Sequence, residues 1–86
     1  MSGDLAALGL SPGHRVRFRR QDGGRWHEGA AERIEVDGSL RVRDGKGAAR
    51  ALPFGLVEVR VVGPRGAVAW EPLVDVAART EQLRLL

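Results

Sequence analysis

Arginine alternates with apolar residues over His14-Arg15-Val16-Arg17-Phe18-Arg19-Arg20. A period of two is the pattern of a half-buried β-strand, because successive side chains point to opposite faces. The spacing predicts a strand over 14–20, with Val16 and Phe18 turned to a core. Arg15, Arg17 and Arg19 then form a row on the other face. Neighbours in that row lie about 6.6 Å apart, from a rise of about 3.3 Å per residue. This is close to the repeat of a nucleic-acid backbone, so the row can act as a ladder for phosphates. It can equally be a solvated sheet face whose arginines pair with carboxylates on neighbouring strands.

Such a strand needs a core, and the chain can supply one. Its 86 residues suit a single domain, and they include ten Val and ten Leu. There is no cysteine, which excludes disulfide frameworks and Cys-based zinc sites. The N-terminus lacks a basic stretch followed by a long apolar run, so no signal peptide is expected. No run approaches the roughly 18 apolar residues of a membrane span. A soluble, cytoplasmic protein without membrane contact is the expectation.

The basic residues are 13 Arg and the single Lys46, against a net charge of only +3. Arginine richness is therefore mostly compositional background, and its placement says more. Residues 14–26 carry five Arg and one Asp, while 27–60 carry six residues of each sign and 61–86 carry three of each. The net positive charge is confined to one short segment, as an anion-binding patch requires.

Along the chain, Leu5-Ala6-Ala7-Leu8 can form a short helix, capped by Ser2 and stopped by Gly9. Pro12-Gly13 predicts a turn into the first strand, and Gln21-Asp22-Gly23-Gly24 the turn out of it. A longer strand follows from Trp26 to Val36. Its Gly29-Ala30-Ala31 is weak strand material and marks a bend or a close approach. Asp37-Gly38 is a hairpin signal leading to the strand Leu40-Arg41-Val42-Arg43. Asp44-Gly45-Lys46-Gly47 is a second tight turn, and 48–52 a short fourth strand ended by Pro53. Leu56–Val62 is strongly β-favouring, and Gly63-Pro64-Arg65-Gly66 turns it into Ala67–Trp70. The period then changes to 3.6. Leu73, Val76, Ala77, Thr80 and Leu83 fall on one stripe of a helix over 72–84, with Pro72 in its first position. Asp75 and Arg79 are spaced as an i,i+4 pair. The organisation expected is an N-terminal segment 1–13, a β unit 14–70 and a C-terminal helical segment 71–86.

Five or six short antiparallel strands joined by tight Gly/Asp turns suggest a small barrel or a strongly bent sheet. Trp26-His27-Glu28-Gly29, the run ending in Ile34, Asp37-Gly38, and Leu40-Arg41-Val42-Arg43-Asp44-Gly45 resemble the second and third strands of Tudor-like, SH3-type β-barrels. Gly13-His14-Arg15-Val16 is similar to the first strand of that fold. It is also similar to the KOW motif of ribosome- and polymerase-associated proteins. The resemblance spans about residues 12–62 and implies a small barrel that binds a partner without catalysis.

Several residues stand out as candidate contacts. Arg15, Arg17 and Arg19, with Arg20 and Arg25 at the turn and Arg41 and Arg43 as an extension, can track a polyanion, since the guanidinium fork meets phosphate with two bonds. The alternative is ordinary cross-strand pairing with glutamates such as Glu28, Glu32 and Glu35. The Tudor-like likeness implies an aromatic cage for methylated cations, but Phe18, Trp26, Phe54 and Trp70 are the only aromatics and Phe18 belongs to the core pattern. Trp26 at the rim and Trp70 against the helix are packing roles. Either ring can also stack on a base or an apolar partner residue. His14 and His27 lack the converging ligands of a metal site. Neither Ser2, Ser11, Ser39 nor Thr80 sits in a nucleophile motif, and no glycine-rich turn opens a helix as a phosphate loop does. Leu83, Leu85 and Leu86 either finish the helix packing or anchor a partner.

The sequence thus predicts a mainly β protein, a small SH3/Tudor-like barrel with a C-terminal helix. A non-enzymatic binding module is expected, without cofactor or metal. It would contact nucleic acid through backbone electrostatics, without sequence specificity. The alternative is a protein-interaction adaptor using the rim, Trp26, Trp70, Leu83 and Leu86, with a second copy of the chain among its candidate partners.

Overall fold

The computed structural model describes residues 5–84, with side chains to residue 80. The Ser2 cap and the roles expected for Leu83, Leu85 and Leu86 lie outside the described residues. Six strands follow in order: β1 (Arg15–Phe18), β2 (His27–Ile34), β3 (Leu40–Asp44), β4 (Ala49–Leu52), β5 (Val57–Val62) and β6 (Val68–Pro72). A single 3-10 turn, Leu5–Leu8, precedes them, a second, Phe54–Leu56, joins β4 to β5, and the helix α1 (Leu73–Arg84) closes the chain. All six strands form one sheet in the order β4-β3-β2-β1-β5-β6, every neighbouring pair antiparallel.

The protein is therefore mainly β with a C-terminal helix, as the alternation predicts. Closure into a barrel is a different matter. No backbone ladder joins β4 to β6 among the described residues, so the sheet is open. Pro53 follows β4 and Pro72 ends β6, and proline cannot donate to a ladder. The sheet still bends enough for one core to collect Val16, Phe18, Ala31, Leu40, Val42, Leu52, Val57 and Val59 from β1 to β5. Leu5 and Leu10 from the N-terminal segment and Leu73 and Val76 from α1 complete it.

Two local devices shape the sheet. Gly29 lies so close to β3 that an added Cβ would sit 2.6 Å from the Arg43 carbonyl oxygen and 2.8 Å from Val42 Cγ1. Two residues on, the register between β2 and β3 shifts across Glu32, a bulge that bends the strand. The weak run Gly29-Ala30-Ala31 thus marks both a close approach and an irregularity. The β3–β4 hairpin turns through Asp44-Gly45-Lys46-Gly47, with Gly47 at φ +85° donating its N–H to the Asp44 carbonyl at 3.0 Å.

Some expectations shift. The first strand is shorter than 14–20, because the Pro12-Gly13 turn holds His14 by a bond from its N–H to the Ser11 carbonyl at 3.0 Å. Trp26 and Val36 lie outside β2, and Pro72 ends β6 instead of opening α1. Leu73 and Val76 are buried on the predicted stripe. Asp75 and Arg79 do not pair. Arg79 reaches back to Glu71 at 2.9 Å, a carboxylate delivered by the end of β6. No helix of the described residues is long and apolar enough to cross a membrane.

Candidate functional site

The outward face of the sheet is where the arginines go, and most of them meet a carboxylate. In the register, Arg17 stands between Glu28 on β2 and Glu58 on β5. It takes Glu58, with Nε at 2.7 Å and Nη2 at 2.5 Å from Oε1. Glu28 turns diagonally to Arg15 at 3.6 Å, a loose contact between exposed groups. Arg19 meets Asp22 at 2.9 Å. On the other side of β2, Glu32 receives Arg41 at 3.3 Å and Arg43 at 3.1 Å, and Glu35 receives Arg33 and Arg41. The Arg43 bond, ahead of the Arg41 contribution and against partial desolvation, holds the Glu32 carboxyl below its ordinary range. The strand row is thus an ion-paired face. Glu32 and Glu35 serve β3, and the partner of the central arginine is Glu58, 41 positions away in the chain.

The tryptophans join this face. The Arg17 guanidinium carbon lies 4.5 Å from the Trp26 ring centroid and 5.1 Å from that of Trp70. Arg19 lies 4.7 Å from Trp26. Cation–π attraction therefore draws both rings toward the chain's own arginines. Trp70 is outside the core cluster and stacks on Arg17, in place of the helix-anchoring role expected for it.

Three of the five remaining cations gather at one end. Among the described side chains, Arg20, Arg25, Lys46, Arg60 and Arg65 have no ion pair. The pairing of Phe18 with His27 and of Gly29 with Asp44 brings the β1–β2 loop and the β3–β4 turn to the same end of the sheet. A cleft of about 240 Å³ there is lined by Phe18, Arg20, His27, Glu28, Lys46 and Arg50, with Asp44 and Gly45. A second, of about 270 Å³, adjoins it through Arg20 and His27 and adds Arg25. Arg20 and Arg25 were legible as candidates from their segment's charge. Lys46 was not, because its own segment is charge-balanced and only the hairpin geometry brings it over.

Two acids line this cleft, Glu28, which meets Arg15 loosely at 3.6 Å, and Asp44, which is committed to its own turn and to Arg50. Asp44 Oδ1 accepts the backbone N–H groups of Lys46 and Ala48, each at 2.9 Å, and Oδ2 receives Arg50 Nε at 3.3 Å. The Ala48 bond leads in holding the Asp44 carboxyl below its usual range. With Asp44 spent on its own turn and on Arg50, and Glu28 turned to Arg15, the cations Arg20, Arg25 and Lys46 remain without an ion pair. His27 stacks on Phe18 with ring centroids 5.6 Å apart. His14 donates from Nε2 to the Arg60 carbonyl at 2.9 Å. The described residues contain no group of three or more His, Asp or Glu side chains arranged to hold a metal. Comparison with family models, with curated proteins and with solved structures finds no match.

Proposed function

We propose that this chain is a non-catalytic binding module that contacts nucleic-acid backbone through the loop end of its sheet. The carrying observation is the placement of the unpaired cations: Arg20, Arg25 and Lys46 line two adjoining clefts, while the β1 row is ion-paired. A surface of exposed guanidinium and ammonium groups without base-reading partners favours backbone contact without sequence preference. The Tudor-like, SH3-type likeness, with its similarity to KOW motifs, fits this reading. It is supported by a four-strand meander whose fifth strand returns beside the first.

Fluorescence anisotropy with a labelled oligonucleotide, between 50 and 200 mM salt, tests the proposal. Three phosphate contacts give a logarithmic salt slope of roughly −2 to −3, at about −0.7 to −0.9 each. Replacing Arg20, Arg25 and Lys46 together by Ala should flatten that slope and lower affinity at least tenfold. No binding at 50 mM salt, or binding indifferent to the triple replacement, would end the proposal.

A second reading has one observation in its favour. Val62 and Val68 pair directly across β5 and β6 and are 63% and 49% exposed, on the side strand that carries Trp70. This apolar spot at a sheet edge suits a protein partner. Light scattering and pull-down comparing the protein with Val62→Glu and Val68→Glu would show it.

A further inference from the structure

Arg19 differs from the other arginines of its row in how its binding edge is used. Nη2 donates to Asp22 Oδ1 at 2.9 Å, while Nε is buried without a hydrogen-bond partner. Nε–H and Nη2–H lie along one edge of the planar guanidinium. That edge is the fork that meets a carboxylate or phosphate with two parallel bonds. Asp22 fills one prong and leaves the other orphaned, although a buried N–H is ordinarily satisfied. Arg17 makes the contrast: both its Nε and Nη2 are engaged by Glu58.

The two partners are also held very differently. The Arg19 side chain is 24% exposed, with its guanidinium 4.7 Å from the Trp26 ring. Asp22 is 94% exposed and meets Arg19 only across three residues of a turn. An exposed i,i+3 carboxylate is weakly held. Gly23 and Gly24 follow it, so the turn can swing while the β1–β2 ladder, which ends at Phe18–His27, stays in place. On either side of this turn lie the unpaired Arg20 and Arg25.

We propose that Arg19 is a phosphate-binding residue and that Asp22 is its displaceable stand-in for phosphate. An incoming phosphodiester takes both Nε–H and Nη2–H, and Asp22 moves out to solvent. The inference rests on the nucleic-acid reading above and deepens it. It adds one sheltered arginine to the exposed, unpaired cations of the loop end, with a built-in competitor that weakens binding.

Anisotropy with a labelled single-stranded DNA, and with an RNA of the same sequence, tests it through a double-mutant cycle. Asp22→Asn should raise affinity about three- to tenfold at 100 mM salt. Arg19→Lys keeps the charge but lacks the fork, so it should lower affinity at least threefold and abolish the gain from Asp22→Asn. Glu28→Gln, the same charge change at a carboxylate that meets Arg15 and not Arg19, should give a smaller gain that survives Arg19→Lys. An Asp22→Asn gain that persists with Lys at 19, or no gain at all, overturns the proposal. If binding still depends on Arg20, Arg25 and Lys46 in that case, the broader reading stands. If neither the protein nor its Asp22→Asn variant binds at 50 mM salt, both fall.

Discussion

Gly29 and Asp44 show how single residues set the shape of the candidate site. Removing a glycine from a strand interior usually stabilises it, because glycine packs nothing and loses more entropy. Here the sign should reverse. A Cβ at position 29 would meet the Arg43 carbonyl oxygen at 2.6 Å. Gly29→Ala should therefore destabilise by about 1–3 kcal/mol, as overpacking does. A urea midpoint equal to or above that of the parent would contradict this. Asp44 has the opposite character, an acid stabilised as its anion. Its folded-state pKa lies below the ordinary value, led by the bond from the Ala48 N–H. The unfolded chain therefore binds the proton more readily, and the contribution of Asp44 is present above about pH 4 and lost as pH falls through the lowered folded value. Asp37, held by the Ser39 hydroxyl and N–H, and Glu32, held foremost by Arg43, have the same sign. Stability should fall from pH 5 to pH 2, and Asp44→Asn should make that fall shallower. Identical acid profiles would refute the assignment. The turn at 44–47 was legible from its Asp and Gly residues. The close approach at Gly29 was legible only as weakness in the strand pattern.

At the scale of elements, the decisive contact is β1 with β5. It places Glu58 beside Arg17, with side-chain exposures of 20% and 29%. Glu28 meets Arg15 in the open, at 63% and 52%. Exposed pairs are worth roughly 0–1 kcal/mol, while removing one partner from a sheltered pair leaves the other poorly solvated. Glu58→Gln should thus destabilise by at least about 1 kcal/mol, and Glu28→Gln by less than about 0.5 kcal/mol. Denaturant unfolding of the two variants checks the ranking, which fails if they are equal. This pairing was invisible in the sequence. Alternation marks which residues face outward, but not which distant strand lies alongside. Glu28, Glu32 and Glu35 were natural candidates because they fall in the next strand that the sequence predicts, Trp26 to Val36. The helix stripe at Leu73 and Val76 was readable, since a 3.6 period carries its own geometry. Arg79 was not, because its partner Glu71 lies on a strand.

At the scale of the whole molecule, charge is polarised along the strands. The loop end holds Arg20, Arg25 and Lys46, while the β5–β6 turn with the unpaired Arg65 is at the opposite end. The six residues of β5 separate these ends by about 17 Å, at about 3.3 Å per step. The screening length at physiological salt is about 8 Å. Arg25→Glu should therefore weaken oligonucleotide binding at least fivefold at 150 mM salt, and Arg65→Glu by less than twofold. Equal losses would point to diffuse net charge instead of an oriented surface. The sequence by itself determined the strands, their turns, the buried face and the segment that carries the net charge. Each of these depends on residues close together in the chain. Which cations stay free was decided only by tertiary structure. Strand order chose Glu58 for Arg17, and hairpin geometry carried Lys46 to Arg20. An arginine's charge is written in the sequence, but its availability depends on which carboxylate the fold sets beside it.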